Sequence, residues 1–196
     1  MAESIPAMTR RHPLDSIAAG LTRQPSVTIA VEPFVSMVDV RLPGGGGLLG
    51  VDLPATPNTW VPTAAGRAVW LGPDQWLLTS TAHTADELEA AVRAVVRPSG
   101  GAATDVSAQR IILRLTGSRV RDVLAKGCAI DLHPRVFGRG RAAQTTVGLA
   151  GVILLALSES SDDFLVLVRS SFAGYLADWL LDAAAEFTDA AALAGR

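Results

Sequence analysis

The sequence predicts an α+β fold made of two similar strand-rich halves with packed helices, and three observations predict it. A hairpin followed by a helix occurs twice, over 69–96 and again over 147–187, which reads as an internal structural duplication. Each repeat is preceded by stretches in which apolar and polar residues alternate, the signature of half-buried strands. Strands outnumber helices in both halves, so a sandwich of sheet and helices is expected rather than a parallel doubly wound sheet. The organisation expected is a mobile N-terminal arm over 1–24 and one domain over 25–190, with halves of about 25–100 and 101–190.

The arm is punctuated by Pro6, Pro13 and Pro25 and holds at most a short helix near Leu14 to Leu21. Val27, Ile29 and Val31 alternate with Thr28 and Ala30, and Val38, Val40 and Leu42 with Asp39 and Arg41, giving two strands. Pro43 to Gly47 form the connection after them. In VWLGPDQWLL, Pro73 and Asp74 suit the central positions of a type I turn, so Val69–Leu71 and Trp76–Leu78 are expected to pair, with the tryptophans as flanking anchors. Thr84 followed three residues later by Glu87 is a capping box. The helix it starts carries Leu88, Ala91, Val92, Val95 and Val96 on one face and stops at Pro98, Gly100 and Gly101.

In the second half, Ile111, Leu113 and Leu115 alternate with Arg110 and Arg114 about Ile112 in a strand, after which Ser118 is placed to cap a short helix ending at Gly127. Val147 to Leu157 reads as one buried strand, Ser158 to Asp163 as a polar turn and Phe164 to Val168 as a further strand. Ser170 or Ser171 then caps a helix striped by Phe172, Tyr175, Leu176, Trp179, Leu180 and Ala183.

Composition narrows the function. A chain of 196 residues, 49% hydrophobic and 18% charged, can bury a real core. Its net charge of −2 offers no broad positive field, which argues against nucleic acid or an anionic membrane as main partner. The most apolar stretch is about half of the roughly 20 residues that a membrane span needs. Cys128 is the only cysteine, and no signal-peptide pattern comes after Arg10 and Arg11, which together fit a reducing cytoplasm.

Candidate chemistry is sparse, and no catalytic, cofactor-binding or metal residue is assigned. Gly44 to Gly47 lack the Lys-Ser or Lys-Thr and the helix start of a phosphate loop. His12, His83 and His133 are scattered without metal-site spacing, and His133, before Pro134, reads as a loop residue. Cys128 reads as a small buried apolar residue, and Ser107 and Ser118 have no histidine nearby in sequence. Arg135, Phe137, Arg139 and Arg141 crowd into the loop RVFGRGR, which is either a solvated surface or a docking element, because arginine and aromatic residues concentrate at interfaces. Trp60, in PNTW, is a similar candidate.

Several blocks stand in a characteristic order: LPATPNTW (Leu53 to Trp60), VWLGPDQWLL, DVSAQRIILRLTGSRVRDVLAKGCAIDLHPRVF (Asp105 to Phe137), AQTTVG (Ala143 to Gly148) and DDFLVLVRSSFAGYLADWLLDAAAEF (Asp162 to Phe187). Over about 35–187 the chain resembles the gamma subunit of heterotetrameric sarcosine oxidase. It departs from that pattern at Ala108 and Gln109, where a His often stands, and at Ala142, where a Cys does. The resemblance implies a fold like the folate-binding domain of aminomethyltransferases and a non-catalytic subunit in a complex that oxidatively demethylates sarcosine to glycine, forming hydrogen peroxide. It implies an alpha subunit as direct partner, with beta and delta subunits in the same complex. FAD, FMN and NAD are expected in the alpha and beta chains, zinc in the delta chain, and tetrahydrofolate as one-carbon acceptor on the alpha chain. Two other readings remain: a free-standing folate-binding or aminomethyltransferase-like protein, and a scaffold for a different oxidoreductase. A fold likeness alone does not transfer a ligand.

Overall fold

Alternating strands with one face apolar must stack, and here they stack twice. The computed structural model describes residues 12–15, 21, 26–160 and 162–187. In the first half are strands β1 (Thr28–Val31), β2 (Ser36–Arg41), β3 (Gly47–Leu48), β4 (Val51–Asp52), β5 (Trp60–Thr63), β6 (Gly66–Gly72) and β7 (Gln75–Ser80), then helix α1 (Ala85–Val96). The second half holds β8 (Ala102–Asp105), β9 (Arg110–Thr116), helix α2 (Val120–Ala125), β10 (Ala142–Val147), β11 (Ala150–Ala156), β12 (Asp163–Arg169) and helix α3 (Ala173–Ala184).

Two five-stranded antiparallel sheets result, ordered β5-β6-β7-β2-β8 and β1-β9-β12-β11-β10. Their orders correspond strand for strand, as the duplicated hairpin and helix predict, except that the halves exchange an edge strand. β1 pairs with β9, while β8, which precedes β9, pairs with β2. The sequence boundary near residue 100 is therefore not a boundary between sheets. Met37, Val69, Leu77, Ile112, Ile153, Leu165 and Leu167 fill the layer between the sheets. The outer face of the first sheet packs Val38, Val40, Trp76 and Leu78 against Leu88, Val92 and Val96 of α1. The outer face of the second packs Leu113, Leu115, Phe164 and Val166 against Val123 and Leu124 of α2 and Leu176 and Leu180 of α3. The layers thus run helix, sheet, sheet, helices.

The capping box is present as expected: Glu87 N–H donates to the Thr84 hydroxyl and Thr84 N–H to the Glu87 carboxylate. Those bonds hold the Glu87 carboxyl below its ordinary range, so their support is present at neutral pH and fades as pH falls through that lowered value. Replacing Thr84 with Ala should cost about 1 kcal/mol in a denaturant melt and leave the activity of the assembled complex unchanged. An unaltered melt would reject the cap, and a large loss of activity would move Thr84 into a functional site.

Several local expectations are corrected. Asp74 has φ 57, which a type I turn excludes; with Pro73 before it the turn is type II. Asp74 is held there by Gly44 N–H donating to its carboxylate and Leu42 N–H to its carbonyl. The stretch Val147–Leu157 is not one strand: Gly148, at φ 57, and Leu149 form a two-residue hairpin turn between β10 and β11, the II′ pattern with glycine first. Ser118 caps nothing, because the N-cap is Arg119; Ser170 turns its hydroxyl to the Ala108 carbonyl, and α3 starts after Phe172 without a side-chain cap. On α1, Val95 faces solvent, as do Phe172, just before α3, and Tyr175 on it.

The expected N-terminal arm and its short helix lie mainly outside the described residues. Within it, His12 to Asp15 form a turn, and Leu14 and Leu21 are buried in the core beside α2 and α3. Among the described residues, no helix is long and apolar enough to cross a membrane.

Candidate functional site

The basic loop is built on a tight turn set by its flanking polar residues. His133 N–H donates to the Asp131 carboxylate, and Arg135 N–H donates to His133 Nδ1. The N–H groups of Val136 and Phe137 then both donate to the His133 carbonyl. This turn sends Arg135 and Val136 outward and Phe137 inward. Farther on, Arg141 N–H donates to Gly138, Trp60 N–H to Gly140, and Ala142 N–H to Asn58. An isolated bridge between Thr59 and Arg141 completes a seam joining the edges of the two sheets, β5 and β10. Such a seam covers edges that would otherwise offer unpaired backbone groups.

Of the five residues expected to meet a partner, three are on the surface. Arg135, Arg139 and Arg141 are exposed, and none has an ion pair with a described residue. Phe137 and Trp60 are buried. Phe137 is 5% exposed and stacks on Phe164, with ring centroids 6.3 Å apart and planes 14° apart. Trp60 is 8% exposed, donates its indole N–H to the Ala156 carbonyl at 3.0 Å and belongs to the inter-sheet layer. Both rings support the basic loop from beneath. A ring able to fill space between packed elements is worth more there than on the surface.

Beside this loop is a concavity at one end of the inter-sheet layer, lined by Trp60, Arg67, Arg114, Arg139, Leu157 and Asp163 among others. The Arg67 guanidinium lies 5.4 Å from the Trp60 ring centroid, and its Nε is buried without a hydrogen-bond partner. Burial disfavours the charged form of Arg67, an effect that Glu32 opposes and Arg114 reinforces. Arg114 grips Asp163 through two bonds, Nε at 3.0 Å and Nη2 at 2.8 Å, which hold its pKa above the usual arginine range. Arg67 and Arg114 are not among the residues that the sequence singles out. The signal was present at Arg114, which shares the face of Ile112 in β9 and so had to emerge at an end of the buried layer.

The remaining candidates hold the fold together. Ser107 is buried; it accepts from Met37 N–H at 2.9 Å and donates to Asp105, tying the end of β8 to β2. Ser80 lies 2.9 Å from His83 Nδ1, a pair that no motif in the sequence announces. The same corner has Ser36 donating to the His83 carbonyl and Ala82 N–H donating to Ser80, closing the connection between β7 and α1. Cys128 is buried as expected, 4.0 Å from the Thr145 hydroxyl. The glycine run leads into β3 and not into a helix, and Gly45 lies against Trp76. Among the described residues, no group of three or more His, Cys, Asp or Glu is placed to hold a metal ion.

Comparison with known proteins points one way. Residues 46–186 match the sarcosine oxidase, gamma subunit family. A sarcosine oxidase subunit gamma from Corynebacterium sp. (strain P-1) is 35% identical over 189 residues, covering 91% of each chain. A chain of the heterotetrameric sarcosine oxidase from Corynebacterium sp. U-96, solved in complex with pyrrole 2-carboxylate, superposes with a TM-score of 0.82 at 32% identity. That alignment covers 92% of this chain and 97% of the other. Glycine cleavage system aminomethyltransferase T from Bartonella henselae superposes with a TM-score of 0.56 at 14% identity over 81% of this chain and 46% of that one, a likeness of fold alone.

Proposed function

The chain belongs to the sarcosine oxidase gamma subunit family and is part of an oxidase complex, and from that premise we propose that its own role is structural. The observation that carries this reading is the use made of its buried hydroxyls. Among the described residues, Ser36, Thr79, Ser80 and Ser107 are the buried polar ones, and each is engaged by backbone groups of the fold itself. An activated nucleophile needs a base oriented toward it and donors for the charge that develops. Of the four, only Ser80 has its hydroxyl against a histidine ring, and that pair closes a turn.

In this reading the complex demethylates sarcosine to glycine with formation of hydrogen peroxide and passes the one-carbon unit to tetrahydrofolate. FAD, FMN, NAD and zinc belong to the other subunits, and the assembly works in the cytoplasm. The alpha subunit is the direct partner, and the basic loop with its neighbouring concavity is the docking element. Arg135, Arg139 and Arg141 project without acidic partners among the described residues, and the buried Arg67 Nε is a donor that an incoming acceptor would satisfy. Phe137 and Trp60 serve docking by shaping the loop from within.

Purified alone, the chain should be colourless, retain neither flavin nor zinc, and produce no peroxide from sarcosine. Co-expressed with the other subunits, it should copurify with an active oxidase. A flavin absorption band or turnover from the isolated chain would overturn the structural assignment. Saturable tetrahydrofolate binding by the lone chain in a calorimeter would favour the free-standing folate-binding alternative.

A further inference from the structure

Arg110 and Arg169 stand directly opposite each other in the antiparallel pairing of β9 with β12. They share the inter-sheet side with Ile112 and Leu167, at the end of β12 opposite Asp163. Like charges in this position destabilise a sheet. Neither arginine has an ion pair among the described residues; Arg110 has only the side-chain amide oxygen of its neighbour Gln109. Burial followed by the charge of Arg169 lowers the pKa of Arg110, an effect that the charge of Asp39 only partly opposes. Both arginines line an open concavity with Thr146, Gly151 and Phe172. A Cβ built on Gly151 would meet nothing within 4 Å, so the floor beside Arg169 is open to an incoming side chain.

Phe172 adds an apolar wall to this concavity. Phe172 is 44% exposed, Tyr175 comes one helical turn later at 39%, and Leu149, at the hairpin tip, is 82% exposed. The Tyr175 hydroxyl accepts from the Leu149 N–H at 3.0 Å, which ties the tip to α3. Phe172, one of the seven exposed large hydrophobic residues of the described chain, thus lines the same concavity as two cations without an ion pair among the described residues. Large exposed apolar side chains rimmed by polar groups mark protein contacts, and aromatic and arginine anchors carry most of their energy.

We propose that this end of the second sheet is a second docking surface, separate from the basic loop, and that its occupant is a carboxylate-bearing surface of another subunit of the oxidase with an apolar side chain beside the acid. This rests on the subunit reading above. The two surfaces lie at opposite ends of β12, whose seven residues span roughly 20 Å at the usual strand rise. A chain with two such ends bridges two parts of an assembly. The arginine pair explains why charge repulsion is kept in the free chain: the partner's carboxylate relieves it on assembly.

The test is tagged-subunit pull-down from co-expressed complexes containing wild-type chain, Arg110→Glu/Arg169→Glu, Arg110→Gln/Arg169→Gln or Phe172→Ala, with a thermal melt of each isolated chain. Charge reversal should weaken recovery by about tenfold or more, with the Gln pair and Phe172→Ala weakened less. The isolated Gln pair should melt at or above the wild-type temperature, because repulsion has been removed. Should the Glu pair fail to fold, the Gln pair and Phe172→Ala decide. Recovery of both at the wild-type level would overturn the proposal. So would a homodimer of the isolated chain dispersed by these substitutions, which would make a second copy the occupant. Failure of the wild-type chain to copurify would instead count against the subunit reading itself.

Discussion

Replacing Phe164 with Ala should remove about 3 to 5 kcal/mol of folding stability, a large loss for a domain of this size. Its side chain is fully buried on the central strand of the second sheet, packed with Val166 of the same strand and with α2 and α3. Its strand partners are Leu115 on β9 and Ala156 on β11, so the backbone holds the ring in place and the cavity cannot close by a register shift. The stack with Phe137 is lost with it, which loosens the basic loop from below. Phe164→Leu keeps most of the volume and should cost less than Ala does. Urea melts of the two variants make the comparison; a loss below about 1 kcal/mol for Ala would mean that the site collapses freely or that the ring is not in the core.

Reversing Arg139 and Arg141 to Glu should separate the chain from its complex while leaving its fold intact. Both side chains are exposed and neither has an acidic partner among the described residues, so the isolated double variant should melt within about 0.5 kcal/mol of wild type. If the loop meets an acidic surface, each desolvated pair lost at the interface costs roughly 2 to 5 kcal/mol, whereas exposed pairs are worth about 0 to 1. Pull-down with the alpha subunit distinguishes these magnitudes. Recovery equal to wild type returns the loop to a solvated surface, and a normal melt ensures that lost recovery is not lost folding.

Patterns carried by neighbouring residues were legible in the sequence. The capping box at Thr84 and Glu87 was, because both groups satisfy donors within a single helical turn. So were the paired hairpins and the burial of Cys128. Where a local pattern had two physical solutions, the string of residues did not choose between them. Pro73 is compatible with two turn types, and the αL conformation of Asp74 depends on Gly44 and Leu42, distant in sequence. Ser118 and Ser170 are good capping residues at nearly the right places, but Gly117 at φ 122 and the Ala108 carbonyl set the helix starts otherwise.

The candidate site was half legible for the same reason. That arginines crowd the loop 135–141 is a property of the string of residues, and their exposure followed. That Phe137 and Trp60 turn inward is decided by Phe164, on the outer face of the second sheet, and by Ala156, which meets Trp60 only once the sheets have stacked. The opposed Arg110 and Arg169 are 59 positions apart, and only the register of β9 with β12 places them face to face.

By itself the sequence determined the three helices, the repetition of hairpin and helix and the apolar faces of the strands it outlined, because these depend on spacing along one chain. The combination of blocks also determined the family. The tertiary structure alone decided that β1 and β8 change places between the sheets, which rings support the basic loop, and where arginines gather at the two ends of the sandwich. These depend on which distant surfaces meet, and alternation specifies that a strand has an apolar face without specifying which partner will cover it.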